Sequence, residues 1–292
     1  MDLGISLVIL QWNIQGFLNN KFGLELLVTK HKPDIIMLQE THIIEKNKHL
    51  LHLPHYKVYH FNKTYSYSKA GIAILVKETL NTSNYKISNN NLLFQSITIH
   101  ALKDLHITNI YREIDLYLTA QHLDDIHTYH NGYHLLGGDL NAHNALWGAK
   151  KTNQNGKLWE DFANDKQFVI LNDGSPTLLN TRNTLTNVDV SMACGGIAPV
   201  LTWNCLPPSG SSNHFPILIF NNMLNINSRI NPRFNTNKAN WHLFTNKTNV
   251  YSQNFTTSVN INREAAQIKK VLRKAANESM PTTFSAPKHN SP

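Results

Sequence analysis

Asp34-Ile35-Ile36-Met37-Leu38-Gln39-Glu40 sets four large apolar residues in a row and closes them with an amide and a carboxylate. A run this short and unbroken, with no helical spacing, fits a strand covered on both faces by other layers of structure. The same grammar recurs outward in both directions, at residues 7–11, 71–76, 94–99, 106–110, 133–136, 168–171, 189–192 and 216–220. Between the runs, Leu18, Phe22 and Leu26 repeat at helical spacing, as do Leu116, Leu123 and Ile126, and Leu158 with Phe162. Helices are therefore expected to coat the sheets of an α/β domain.

What stands at the ends of the runs matters most, because ligands of α/β sheets gather beyond strand ends. Glu40 closes the opening stretch, and a carboxylate there can ligate Mg²⁺, which favours oxygen. A solvated strand end would explain Glu40 alone equally well. Asn13 follows another run and offers an amide for a metal or a phosphate oxygen, although Asn after a strand is also ordinary turn chemistry. The densest segment is Leu135-Leu-Gly-Gly-Asp-Leu-Asn-Ala-His-Asn-Ala-Leu-Trp-Gly148. Gly137 and Gly138 permit close approach of a ligand, and Asp139 and Asn141 share a side if the chain stays extended. Ser211-Ser-Asn-His214 leads into the last run, and Asp189, which starts another, is a candidate to fix the His214 imidazole in one tautomer. With Tyr111, these residues predict phosphodiester hydrolysis.

Composition narrows the setting. At 292 residues and 41 % apolar, the chain can bury one large core and carry an appendage. No apolar stretch approaches membrane-spanning length, and two cysteines give no disulfide framework. The expected setting is intracellular, in the nucleus after passage through the cytoplasm. Residues 221–292 hold 10 Lys+Arg against 2 Asp+Glu, while residues 1–220 balance at 17 and 17, so the whole +8 lies in the last quarter. That segment suits a phosphate backbone as well as it suits a solvated linker. It is expected to carry one helix, with Ala265, Ile268, Leu272 and Ala275 on a face, ended by Met280 and Pro281. Domain limits of 1–220 and 221–292 follow, and the polar finish at 288–292 reads as the cut end of a longer polyprotein.

Taken together, these blocks resemble the endonuclease/exonuclease/phosphatase superfamily, and within it the apurinic-like endonuclease of non-LTR retrotransposons. The resemblance spans about residues 5–220 and rests on order: Gln-Trp-Asn (11–13), Leu-Gln-Glu-Thr (38–41), Gly-Ile-Ala-Ile-Leu (71–75), Asn-Ile-Tyr (109–111), Gly-Gly-Asp-Leu-Asn-Ala-His (137–143), Leu-Trp-Gly (146–148), Asn-Asp-Gly-Ser-Pro-Thr (172–177), Val-Asp-Val (188–190) and Ser-Asn-His-Phe-Pro-Ile (212–217). The Trp-Gly extension is similar to the arthropod Jockey and R1 branches.

The resemblance implies a four-layer α/β sandwich, two mixed β-sheets face to face with helices outside. It places Asn13, Glu40 and Asn213 on the metal side with Mg²⁺, or Mn²⁺ in its stead. Tyr111 and Asn141 would contact the scissile phosphate, Asp139 would activate water, and His214, oriented by Asp189, would steady the developing charge. Thr177 and Ser212 would lie along the substrate groove. The implied partners are double-stranded DNA, the element RNA and a reverse transcriptase domain reached through a connector at Ala239-Asn240-Trp241. Two departures stand out. Asn213 replaces the aspartate of the family's Ser-Asp-His, which removes one charge and one strong oxygen ligand from the metal side. Arg112-Glu113 follows Tyr111 where prolines are common. Other phosphodiesterases of the superfamily, and a silenced DNA-binding module, remain as alternatives.

Overall fold

The structure, a computed structural model, describes residues 3–4, 7–62, 70–88, 90–126, 132–221, 224–225, 233–234, 236–253 and 261–283. The chain divides into two compact units, residues 1–228 and 229–292, against an expected boundary at 220.

Two six-stranded mixed sheets form the first unit. One runs in the order Thr202–Cys205, Ile217–Asn221, Leu7–Asn13, Ile35–Gln39, Ile72–Lys77, Tyr56–Phe61, and the other Phe168–Ile170, Asp189–Cys194, Tyr133–Asp139, Leu105–Tyr111, Leu93–Ile99, Thr82–Ile87. Each contains one parallel pair, Leu7–Asn13 beside Ile35–Gln39 and Leu105–Tyr111 beside Tyr133–Asp139, and its other neighbours are antiparallel.

Alternate residues of the same strands explain the continuous apolar runs. Ile9, Ile35, Met37, Ile74 and Val76 meet Ile97, Ile107, Leu135 and Ala193 between the sheets. Leu10, Trp12, Ile36, Leu38 and Leu75 point the other way, onto Phe17, Leu24 and Leu27 of the helix Phe17–His31. On the far side Phe94, Ile110, Leu136 and Met192 pack under Trp159, Phe162 and Ala163 of the helix Gln154–Asp165. The four-layer α/β sandwich expected from the sequence is thus the fold. At roughly 1.5–3 kcal/mol for each fully buried large apolar side chain, these three interfaces are its main support.

The first helix forms where expected but turns its other face inward. Leu18, Phe22 and Leu26 are 54, 73 and 55 % exposed. The buried face is Phe17, Asn20, Gly23, Leu24 and Leu27. Asn20 and Gly23 break its apolar appearance, yet both are needed there. Asn20 donates to the Ile14 carbonyl at 2.7 Å and accepts from the Ser211 amide at 2.6 Å, and a Cβ on Gly23 would meet the loop at Ser209 and Gly210. Helical spacing also misled at Leu116, which lies ahead of the short helix Ala120–Asp124.

In the second unit, a helix Trp241–Ser252 that the sequence did not announce packs against Ile261–Ser279. Asn240 caps the former, its Oδ1 accepting from Leu243 N at 2.9 Å. Tyr251 and Lys247 both reach Glu278, at 2.6 and 2.8 Å. No described helix is long and apolar enough to cross a membrane. The expected chain end at 288–292 lies outside the described residues.

Candidate active site

The two parallel pairs end at the same rim of the sandwich. Asn13 stands opposite Gln39, one residue before Glu40, and Tyr111 stands opposite Asp139. Asp189 opens the antiparallel neighbour of the second pair, in register with Asp139. His214 precedes the antiparallel neighbour of the first, where Ile217 faces Gln11. Strand polarity alone therefore gathers residues that are two hundred positions apart.

Their side chains close into one network. Glu40, Asp139 and His214 each offer a ligand atom within 4.8 Å of the others. The Asn13 amide donates to Glu40 Oε1 and to Asp139 Oδ2, both at 2.9 Å. Asn141 donates its backbone N–H to Asp139 Oδ1 at 3.0 Å. His214 Nδ1 lies 3.0 and 2.9 Å from the two Asp189 oxygens, which leaves Nε2 turned toward Asp139 Oδ2 at 3.9 Å. The Tyr111 hydroxyl stands in the same cluster, where the charges of Glu40 and Asp139 act on it.

Electrostatics follow from this packing. Burial drives the Asp139 carboxyl above its ordinary value, only partly opposed by His214. For His214, burial works against the charged form, but the Asp189 carboxylate outweighs it and the imidazole pKa is raised. Burial would likewise raise Glu40, yet hydrogen bonds from His42 and Asn13 and the charge of His214 carry it below the usual range. The Tyr111 phenol is pushed up, first by burial and then by Glu40 and Asp139, so it remains a proton donor. Two carboxylates crowded beside an imidazole, one of them disfavoured as an anion when no cation is near, form a donor set that fits a hard divalent ion.

Several local expectations change in detail. Asn13 belongs to the site, but its amide nitrogen ties the two carboxylates together and its oxygen accepts from Gln15 N at 3.2 Å. It acts as a bridge. Beyond Asp139 the chain does not stay extended, because Asn141 is left-handed with φ 44°. Glu40 is also left-handed at φ 48°. Two non-glycine residues in this sparse region mark a rim held by its surroundings. Gly137 and Gly138 make room for protein and not for a ligand: a Cβ would sit 2.2 Å from Gln11 Oε1 at the first and 1.8 Å from the Ile110 carbonyl at the second.

Thr177 and Ser212, expected along the substrate groove, are 0 and 5 % exposed. Thr177 Oγ1 accepts from the backbone of Val188 and Asp189, both at 3.2 Å. Ser212 Oγ donates to the Asn13 carbonyl at 2.7 Å and accepts from His214 N at 3.2 Å. Both hydroxyls are hydrogen-bonded to the chain that carries Asp189 and His214. Asn213 donates its backbone N–H to Gln15 Oε1 at 3.0 Å, while its side-chain oxygen is closed to solvent with no hydrogen-bond partner.

Sequence reasoning missed His42, whose Nε2 lies 3.3 Å from Glu40 Oε2. Among sixteen histidines nothing singled it out except its place two residues after Glu40. It also missed the buried amides that pin the sheets beneath the site. Gln39 donates to Asn109 at 2.6 Å, and Gln11 Nε2 reaches the Gly138 carbonyl at 3.3 Å.

The model of the Endonuclease/Exonuclease/phosphatase family matches residues 10–214, a span that holds every one of these side chains. The chain belongs to that family. Among curated proteins it is similar to the RNA-directed DNA polymerase from mobile element jockey of Drosophila melanogaster, with 25 % identity over 214 residues, 71 % of this chain and 23 % of that one. Among solved structures it is similar to the endonuclease domain of TRAS1, a telomere-specific non-LTR retrotransposon, with TM-score 0.62 at 20 % identity, covering 75 % of this chain and 99 % of that one. It is also similar to the Xenopus laevis APE2 catalytic domain, with TM-score 0.61 at 15 % identity over 74 % and 92 %. The structural likenesses carry the fold. The chain spans less than a quarter of the length of the curated relatives it matches.

Proposed function

We propose that this family member is a divalent-metal-dependent DNA endonuclease of a non-LTR retrotransposon. It nicks one strand of target DNA and leaves a 3′-hydroxyl, from which a reverse transcriptase domain of the same polyprotein copies the element RNA in the nucleus. The observation that carries this reading is the convergence of Glu40, Asp139 and His214 within 4.8 Å, with Asp189 behind the imidazole. The similarity to retrotransposon polymerases and to the TRAS1 endonuclease domain supports the choice of substrate.

Glu40 and Asp139 would hold Mg²⁺, or Mn²⁺ in its place, with Asn13 keeping the two carboxylates in register. When bound, the ion supplies Lewis-acid neutralisation of the phosphate's developing charge. An Asp139 oxygen not engaged by the ion would take a proton from the attacking water. Asp189 fixes the imidazole by its Nδ1 edge, so His214 Nε2 is the face left for a phosphate oxygen. Tyr111 remains protonated and Asn141 is held beside Asp139, so both can donate to the same phosphate. An amide at Asn213 supplies a weaker oxygen than aspartate would, and metal affinity is accordingly lower.

The test is nicking of supercoiled plasmid with Mg²⁺ and with chelator, followed by polymerase extension from the nick. Extendable nicks that need the ion support the reading. Ends that a polymerase cannot extend overturn it, and salt-sensitive binding with no nick at any metal concentration would identify a silenced DNA-binding module instead.

A further inference from the structure

Arg112 is 2 % exposed, and among the described residues no carboxylate lies within ion-pair distance of it. Its guanidinium is ringed by backbone carbonyls instead. Nε donates to Leu140 O at 2.8 Å, Nη2 to Asn141 O at 2.5 Å, and Nη1 to Glu113, Ile114 and Leu116 O at 3.1, 3.2 and 2.6 Å. Its own backbone completes the lock: Arg112 N donates to Asp139 O at 3.0 Å, and the Asn141 amide donates to Arg112 O at 2.8 Å.

Burying a guanidinium without a direct ion pair is costly, and the charges of Asp139 and Asp115 offset it only from a distance, so a side chain that stays there is secured by the carbonyls it holds. What it holds is the turn 139–141. That turn must place Asp139 against Glu40 and His214 while Asn141 sits left-handed, a sparsely populated region in which asparagine is among the better-tolerated residues. The guanidinium fork grips the Leu140 and Asn141 carbonyls from one direction and the loop 113–116 from the other. A lysine ammonium, a single point with three donors, cannot span both.

We propose that Arg112 is a positioning residue for phosphodiester hydrolysis, acting through Asn141 and Asp139 by clamping the turn that carries them. This rests on the hydrolase reading above. It concerns a residue that touches neither the phosphate nor the metal.

The experiment compares wild type, Arg112→Lys, Asn141→Ala and the double variant in the full chain. Two readouts are used, hydrogen exchange of the peptide covering 138–144 in metal-free protein, and steady-state plasmid nicking. Arg112→Lys keeps the charge and most of the volume; Arg112→Met, of similar reach, serves if it fails to fold. The expected result is loss of exchange protection confined to 138–144 and to the 112–117 loop, with kcat down about 100-fold and KM changed less than about threefold, as a small misplacement of reacting groups produces. The double variant should lose much less than the product of the two single losses, because both act on one turn. Unchanged exchange with unchanged kcat, or losses that multiply in the double variant, would overturn the proposal and leave the hydrolase reading intact. A wild type that never nicks would refute that reading, and the exchange result would still decide whether Arg112 holds the turn.

Discussion

At the scale of single residues, the His214–Asp189 pair is the most telling contact in the molecule. Without the carboxylate the imidazole would be free to choose either tautomer, so Asp189→Asn is expected to preserve the fold and cut nicking by about 10⁴-fold, comparable to the same change in a catalytic triad. Circular dichroism with initial nicking rates checks both halves. If Asn213 lies on the metal side as proposed, Asn213→Asp adds a carboxylate oxygen there, and the Mg²⁺ concentration for half-maximal nicking should fall severalfold; identical titration curves would remove the argument. Away from the site, His60 is buried beside Thr41 with its Nδ1 unpartnered, and burial lowers its pKa to about 4. The unfolded chain takes up that proton near the ordinary value of 6.5, so the contribution is complete above about pH 6.5 and is lost as pH falls toward 4, by about 3 kcal/mol at most. Urea melts at pH 7.5 and pH 4.5 should therefore differ more for wild type than for His60→Gln.

At the scale of elements, the site depends on how closely two strands approach. Gly138 lies against the Ile110 carbonyl in the parallel pair that sets Tyr111 beside Asp139. Gly138→Ala forces that pair apart, with an expected cost of roughly 3 kcal/mol and a matching loss of nicking; thermal melts and activity are the measures. An unaltered melting temperature would mean that the approach is looser than it looks. Legibility also divides at this scale. Central strands such as Ile35–Gln39 and Ile72–Lys77 are buried on both faces and write unbroken apolar runs, which is why they could be read. The edge strands Tyr56–Phe61, Thr82–Ile87 and Thr202–Cys205 leave one side in solvent, so their sequences alternate or turn polar and passed unnoticed. The inward face of the first helix was hidden for a related reason. Asn20 and Gly23 sit there to serve a loop and not the core, and periodicity cannot detect that.

At the scale of the whole molecule, polar letters at run ends disclosed the site because strand direction, which sequence pattern does imply, brings those ends to one rim. What it could not disclose is local backbone shape: the left-handed turns at Glu40 and Asn141, the inward hydroxyls of Thr177 and Ser212, and the carbonyl ring around Arg112. The division at 228/229 leaves all ten basic residues of the last quarter in the second unit. Residues 1–228 alone should therefore still nick DNA, with affinity that falls less steeply as salt rises, because fewer phosphate counterions are released. A filter-binding series from 50 to 200 mM salt would show an unchanged slope if the second unit takes no part, these concentrations being about those over which such slopes are read.

The most direct test of the shared metal-and-phosphate centre sets wild type beside Asp139→Asn in plasmid relaxation across a Mg²⁺ titration, with folding verified for both. Wild type should relax the plasmid only when the ion is present, and the variant should stay inactive at every concentration. Equal rates for the two proteins, or relaxation by wild type in chelator, would contradict the account.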